Sequence, residues 1–183
     1  MTTMKYYAGI GSRETPSDIL SLMTNISEML EEEGYVLRSG GADGADLAFE
    51  KGVKKNKEIF LPWKNFNNNS SSLFEISEEA EKMAEKFHPN YSYLSQGAKR
   101  LHARNCNQVL GSNLNSPVEF VICWTKYGTE NGGTGQAMRI AKANGIKIYN
   151  LGKEDDLLLW KNRVEIFNNF KKWKQEIKCQ TKI

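Results

Sequence analysis

The sequence predicts an α/β domain of three layers, a mostly parallel sheet between helices on both faces. Three observations predict it. Short apolar runs alternate with amphipathic stretches along nearly the whole chain, a pattern that calls for parallel strands joined by right-handed crossovers. Three of those runs pass directly into glycine-rich turns that open helices: GIGSRETP, SGGADGADLAFEKG and TENGGTGQAMRIA. The chain has 183 residues, 39% hydrophobic and 26% charged, which suits one domain with a real core.

Residues 4–10 have the length and aromatic content of a buried strand. Thr15 and Pro16 then open a helix, proline being tolerated where a missing N–H does no harm. Ile19, Leu20, Met23, Ile26, Met29 and Leu30 recur at helical spacing, and Gly34 is a natural stop. Residues 35–38 are the second strand, 39–44 a turn, and a short helix runs through Ala48 and Phe49. Residues 58–61 make a third strand. The Asn- and Ser-rich stretch 65–72 reads as a loop with the character of a mobile lid. Helices are expected at about 73–87 and 95–110, and the strongest strand at 118–125. A loop over 128–135 leads to a helix at 136–143, and residues 146–151 form the last strand. In residues 155–177, Trp160, Val164, Phe167, Phe170, Trp173 and Ile177 stand three or four apart, an amphipathic helix on which Trp160 and Trp173 read as core. Residues 1–152 should therefore form the ligand-binding body, with residues 153–183 a C-terminal helix packed on it.

Charge narrows the function little. A balance of 25 basic and 22 acidic residues gives +3, too mild to argue for nucleic acid by itself. No apolar run is long enough to span a bilayer and no signal peptide precedes the first strand, so a cytoplasmic location is expected. Cys106, Cys123 and Cys179 are odd in number and lack metal-ligand spacing, which fits a reducing compartment. Cys123 reads as a small buried hydrophobe. With His88 and His102 as the only histidines, neither a zinc site nor a required cofactor is expected.

The three glycine loops carry the candidate chemistry. Gly9 and Gly11 let backbone approach an anion, and the helix start favours phosphate or carboxylate. Ser12 can donate to it and Arg13 can fork onto phosphate oxygens. The plain alternative is a tight turn with Arg13 on the surface. Ser39, Gly40 and Gly41 follow the second strand, with Asp43 and Asp46 near the first helical turn. One carboxylate can cap that helix, and the other can bind ribose hydroxyls or act as a general base. Gly132, Gly133 and Gly135 form a cradle to which Thr134 and Gln136 add polar contacts. Three such loops in one sheet point to a phosphate-bearing ligand in a strand-end crevice. Trp63 and Trp124 lie just past strand ends, where an aromatic can stack on a base or simply fill core or rim. Arg100, Arg104 and Gln108 share a helix face that can reach a phosphate or a base edge, or is simply solvated. His102 is an acid–base candidate by residue type, but a lone helical histidine is usually structural or exposed.

Together GIGSRETP, SGGADGADLAFEKG and GGTGQ resemble the SMF/DprA–LOG (SLOG) superfamily of Rossmann-like nucleotide-binding domains over roughly residues 6–151. The Ser39 loop is similar to that of DprA-like proteins, where a strand ends in Ser-Gly and an Asp follows. The Gly132 loop is similar to the Gly-Gly-x-Gly motif of LOG-type phosphoribohydrolases. HARNCNQVLG and the following CWT, with GGTGQA, resemble small stand-alone members common in bacteriophage genomes. The resemblance implies a Rossmann-like sandwich and self-association as a homodimer or higher oligomer. For a virus-encoded chain it implies the host cytoplasm. At one place the chain departs from the pattern. LOG hydrolases carry Thr after the last loop glycine and Glu three residues later, where this chain has Gln136 and Arg139. N-glycosidase chemistry would have to use Asp43, Asp46, Glu119 or Glu130.

The first functional reading is a binding protein for a nucleotide or nucleotide-derived small molecule, a sensor or a sequestering protein for a signalling nucleotide. Phosphate would lie on Gly9, Gly11, Ser12, Gly40, Gly41 and the 132–135 loop. Arg13 would neutralise it with help from Arg104, Asp43 or Asp46 would take the ribose, and Trp63 or Trp124 the base. The alternatives are a LOG-type nucleoside-monophosphate N-ribosyl hydrolase, with no catalytic residue assigned, and DprA-like single-stranded DNA binding through lysines between positions 161 and 178.

Overall fold

The computed structural model describes residues 4–180, without the side chains of Cys179 and Gln180. The first three residues, read above as free of a targeting signal, and residues 181–183 of the tail lie outside the described residues. The elements run β1 (Lys5–Gly9), α1 (Ser17–Glu32), β2 (Tyr35–Ser39), α2 (Ala45–Gly52), β3 (Lys57–Ile59), α3 (Glu78–Phe87), α4 (Gln96–Leu110), β4 (Phe120–Cys123), α5 (Gly132–Ala143), β5 (Lys147–Asn150) and α6 (Glu154–Gln180). The strands form one sheet in the order β3-β2-β1-β4-β5, and every pairing is parallel. This is the expected three-layer, Rossmann-like sandwich. No helix among the described residues is long and apolar enough to cross a membrane.

Alternation along the strands builds the layers. Tyr7, Leu37 and Ile122 point to one face, where α1, α2 and α6 close the core around Met23, Phe49 and Trp160. Ala8, Val121 and Cys123 point to the other, against Ala84, Cys106 and Ile140 of α3, α4 and α5. Aromatic rings cross the first face almost without a break. Tyr7 stacks on Phe120 at 5.9 Å, Tyr35 meets Phe120 at 5.4 Å, and Tyr149 meets the fully buried Trp160 edge-on at 5.4 Å. Such pairs contribute about 0.5–1.5 kcal/mol each beyond the area they bury, and they fasten the start of α6 to the sheet.

Several boundaries differ from the sequence reading. The third helix begins at Glu78, where Ser77 accepts from the Ala80 N–H. Leu73 instead bridges to Phe60 beyond β3. Gly132, Gly133 and Gly135 lie inside the first turn of α5 rather than in a loop before it. Trp173 is not core: it is 54% exposed and stacks on Phe170, itself 49% exposed. The reason is length. α6 has 27 residues against 16 in α1 beneath it, so its far end outruns the surface that buries Trp160 and Val164. The polar stretch 65–72 is a loop that three of its side chains tie to the body. Asn67 donates to the Gly41 carbonyl, Asn69 to Glu50 and Ser71 to the Ile59 carbonyl.

Glu31 of α1 pins the turn between α2 and β3 by accepting the backbone N–H groups of Lys54, Lys55 and Asn56. Burial pushes its carboxyl up, but the N–H groups of Asn56, Lys54 and Lys55 together outweigh that and hold it below its ordinary 4.5. A depressed carboxylate stabilises the fold above its unfolded pKa, and the gain fades as pH falls through the folded one. Glu31→Gln should therefore cost about 1 kcal/mol at pH 7. In urea titrations its difference from wild type should shrink below about pH 4. A difference unchanged down to pH 3 would contradict this role.

Candidate functional site

A cleft of about 590 Å³ opens between the loops that follow β1 and β4. The strand order reverses there, since β2 and β3 lie to one side of β1 and β4 and β5 to the other. Open parallel sheets bind ligands at this switch point, and the volume falls in the usual range of about 300–1,000 Å³.

The cleft is framed by a buried ion pair. Arg104 of α4 crosses to the Asp46 carboxylate at 3.4 Å and donates to the Gly40 carbonyl. Both side chains are about 6% exposed. Burial pushes the Asp46 carboxyl up, while Arg104 and the backbone N–H groups of Ala42 and Gly11 pull it back toward the charged form. An arginine does not give up its proton in a protein, so Asp46 is its counter-ion. Gln108 turns its amide toward the same carboxylate, although its nitrogen and Arg104 Nε form no well-aligned hydrogen bond. Asp46 is thus committed to the frame while bordering the cleft. No side chain caps α2, whose N-cap is Gly44, so the expected Asp cap is absent. Asp43 is exposed and lies outside the cleft.

Several of the glycines expected to hold phosphate do other work. A Cβ on Gly9 would stand 2.6 Å from the Phe49 ring, and one on Gly40 would overlap the Arg104 guanidinium. Gly41 has φ +64 and packs under Leu61. Ser39 is buried and donates to the Gly9 carbonyl at 2.6 Å. Of the residues expected to hold phosphate in the first two loops, Gly11, Ser12 and Arg13 line the cleft. Gly11 is needed because a Cβ would stand 2.7 Å from that of Ala45.

The third loop faces the cleft directly. Gly132, Gly133 and Thr134 line it, and no side chain caps the first turn of α5. Uncapped N–H groups at a helix start, reinforced by the helix dipole, favour an anion. Arg13 lines the same cleft, exposed and without a hydrogen bond or ion pair to any described residue. Gly135 and Gln136 sit behind this wall, Gly135 because a Cβ would overlap the Glu130 carbonyl. Gln136 is fully buried, and its Oε1 lies 3.0 Å from both Asn105 Nδ2 and His102 Nδ1.

Other expected residues do not meet here. Trp63 packs edge-on against Phe66, and Trp124 packs against the core under α1 and α2; neither lines the cleft. Arg100 donates to the Pro62 carbonyl. Of the four carboxylates considered for glycosidic cleavage, Glu119 bonds Tyr35 at the opposite end of the sheet and Glu130 pairs with Lys142. Arg139, in the place of the LOG glutamate, donates to the carbonyls of Phe87 and Glu130. Residues the sequence reading passed over also line the cleft, among them Glu14, Asn105, Lys126 and Asn131. The i, i+3 spacing of His102 and Asn105 on α4 was the available signal for one of them.

No protein-family profile matches the sequence, and no curated protein is detectably similar to it. Among solved structures the chain is similar to DNA processing protein A from Helicobacter pylori, described for its single-stranded DNA binding mode. The TM-score is 0.55 at 16% identity, covering 92% of this chain and 80% of that one. The likeness shows the fold.

Removing one partner of a buried pair strands the other charge, at a cost of about 3–5 kcal/mol. Arg104→Met should lose that much stability in denaturant unfolding, and Asp46→Asn in the same chain should restore part of it. Additive losses from the two substitutions would show that they do not form one frame.

Proposed function

We propose that the cleft binds a phosphorylated, nucleotide-derived small molecule, and that the protein acts as a sensor or sequestering protein for it. The observation that carries this reading is that the uncapped α5 start and the unpartnered Arg13 line one switch-point cleft. An anionic group can contact both, the N–H groups supplying direction and the guanidinium charge. The framing by Arg104 and Asp46 supports a cleft that is formed before ligand arrives. Self-association belongs to the same reading, with the exposed Phe170 and Trp173 of α6 as its contact.

Single-stranded DNA binding is the second reading, supported by what the structural neighbour binds. The basic residues of α6 on which it would draw are partly neutralised. Lys171 pairs with Glu28 and Glu32, and Arg163 with Glu33.

Mass spectrometry of small molecules released from the purified protein, followed by thermal-shift titration, should yield a phosphorylated compound that raises the Tm. Arg13→Ala should weaken that compound about ten- to a hundredfold without lowering the Tm of the free protein. Unchanged affinity would remove Arg13 from the site. Oligonucleotide affinity that is tight and falls steeply with salt would move the assignment to DNA.

A further inference from the structure

His102 has a fixed hydrogen-bonding sense. Asn105 Nδ2 donates to the Gly133 carbonyl at 3.2 Å. A backbone carbonyl only accepts, so the nitrogen of Asn105 must face Gly133. The same nitrogen faces Gln136 at 3.0 Å, so Gln136 presents its oxygen. Flipping either amide would set donor against donor or oxygen against oxygen. The other neighbour of that oxygen is His102 Nδ1, at 3.0 Å, which must then carry the proton. Burial, with some repulsion from His88, Arg139 and Arg104, holds the imidazole below its ordinary 6.5 despite the Gln136 bond, so it is neutral at pH 7. A neutral ring protonated at Nδ1 has a lone pair at Nε2. No described residue bonds that atom, and it is not among the buried polar atoms left without a partner. The ring lines the cleft, with Cε1 4.0 Å from where a Cβ of Gly133 would stand.

We infer that His102 is the specificity residue of the cleft, accepting through Nε2 a hydrogen bond from a sugar hydroxyl of a ligand whose phosphate lies on the α5 start. This rests on the binding reading above. In a nucleotide the hydroxyls are the donors nearest the phosphate, and the base lies on the far side of the sugar. A phosphate at Gly133 brings a hydroxyl rather than a base edge to His102. Gln136 and Asn105 are positioning residues for the ring: through their amides they set which ring nitrogen accepts. A protonated His102 would donate and lose this preference.

The test has two arms. Imidazole nitrogen NMR of the ligand-free protein at pH 7.5 should show His102 as the neutral Nδ1–H tautomer, and Gln136→Leu should remove that bias. An Nε2–H tautomer or an imidazolium would overturn the inference whatever the protein binds. In the second arm AMP, GMP, CMP and UMP are titrated beside their 2′,3′-dideoxy counterparts by calorimetry. The ribonucleotide that binds should lose about three- to tenfold on removal of the hydroxyls, and the same amount in His102→Phe. His102→Gln, which returns an acceptor near the position of Nε2, should recover part of it. Equal binding of both sugars, or of wild type and His102→Phe, would overturn the role of His102 and leave phosphate binding standing. No binding by any of the eight compounds would count against the parent reading and this one together.

Discussion

The upper edge of the sheet is organised around one buried guanidinium. Arg104 projects from α4 over the end of β2, and the space it takes forbids any side chain at position 40. Its charge requires a counter-ion, since an isolated cation in that interior would cost several kcal/mol. Asp46 supplies it from the first turn of α2 and also gathers the N–H groups of Gly11 and Ala42. The loop after β1, the loop after β2 and helix α4 are thereby tied together at one point. What remains open beside the tie is the cleft. Its fixed walls follow from this pair, and its chemistry follows from the groups the pair leaves free: Arg13, the start of α5 and His102.

This arrangement explains how far the sequence could be read. The strands and the three layers were legible because burial leaves a local signature, whereas the order of the strands in the sheet has none. Runs such as the one ending at Cys123 are apolar on both faces, and α1 shows a clear helical period. The start of α5 was not legible, because consecutive glycines such as Gly132 and Gly133 carry the local signature of a loop although they stand in the first turn of the helix. Gly9, Gly40 and Gly41 were expected to hold phosphate, and what their missing side chains make room for is packing: Phe49, Arg104 and Leu61 fill the space. Local sequence shows that a side chain is missing, and not what comes near instead.

The candidate site divides in the same way. Gly11, Ser12, Arg13 and residues 132–134 reach the cleft as their loop positions implied. Arg104 and Asp46 are 58 residues apart, and His102 and Gln136 are 34 apart, so neither partnership has a sequence signature. Trp63 and Trp124 are placed differently: neither lines the cleft. Position just past a strand end placed them near the correct edge, but side-chain direction sent both into packing. The exposed half of α6 likewise obeys its amphipathic spacing while running past the core that spacing implied.

On the proposed reading a phosphorylated ligand contacts both Arg13 and the start of α5. A crystal structure of the protein with whatever compound it retains through purification tests this most directly. Phosphate density should lie within hydrogen-bond distance of the backbone nitrogens of Gly133 and Thr134 and of the Arg13 guanidinium. Ordered ligand along α6 or elsewhere on the surface, with the switch-point cleft holding only water, would contradict it.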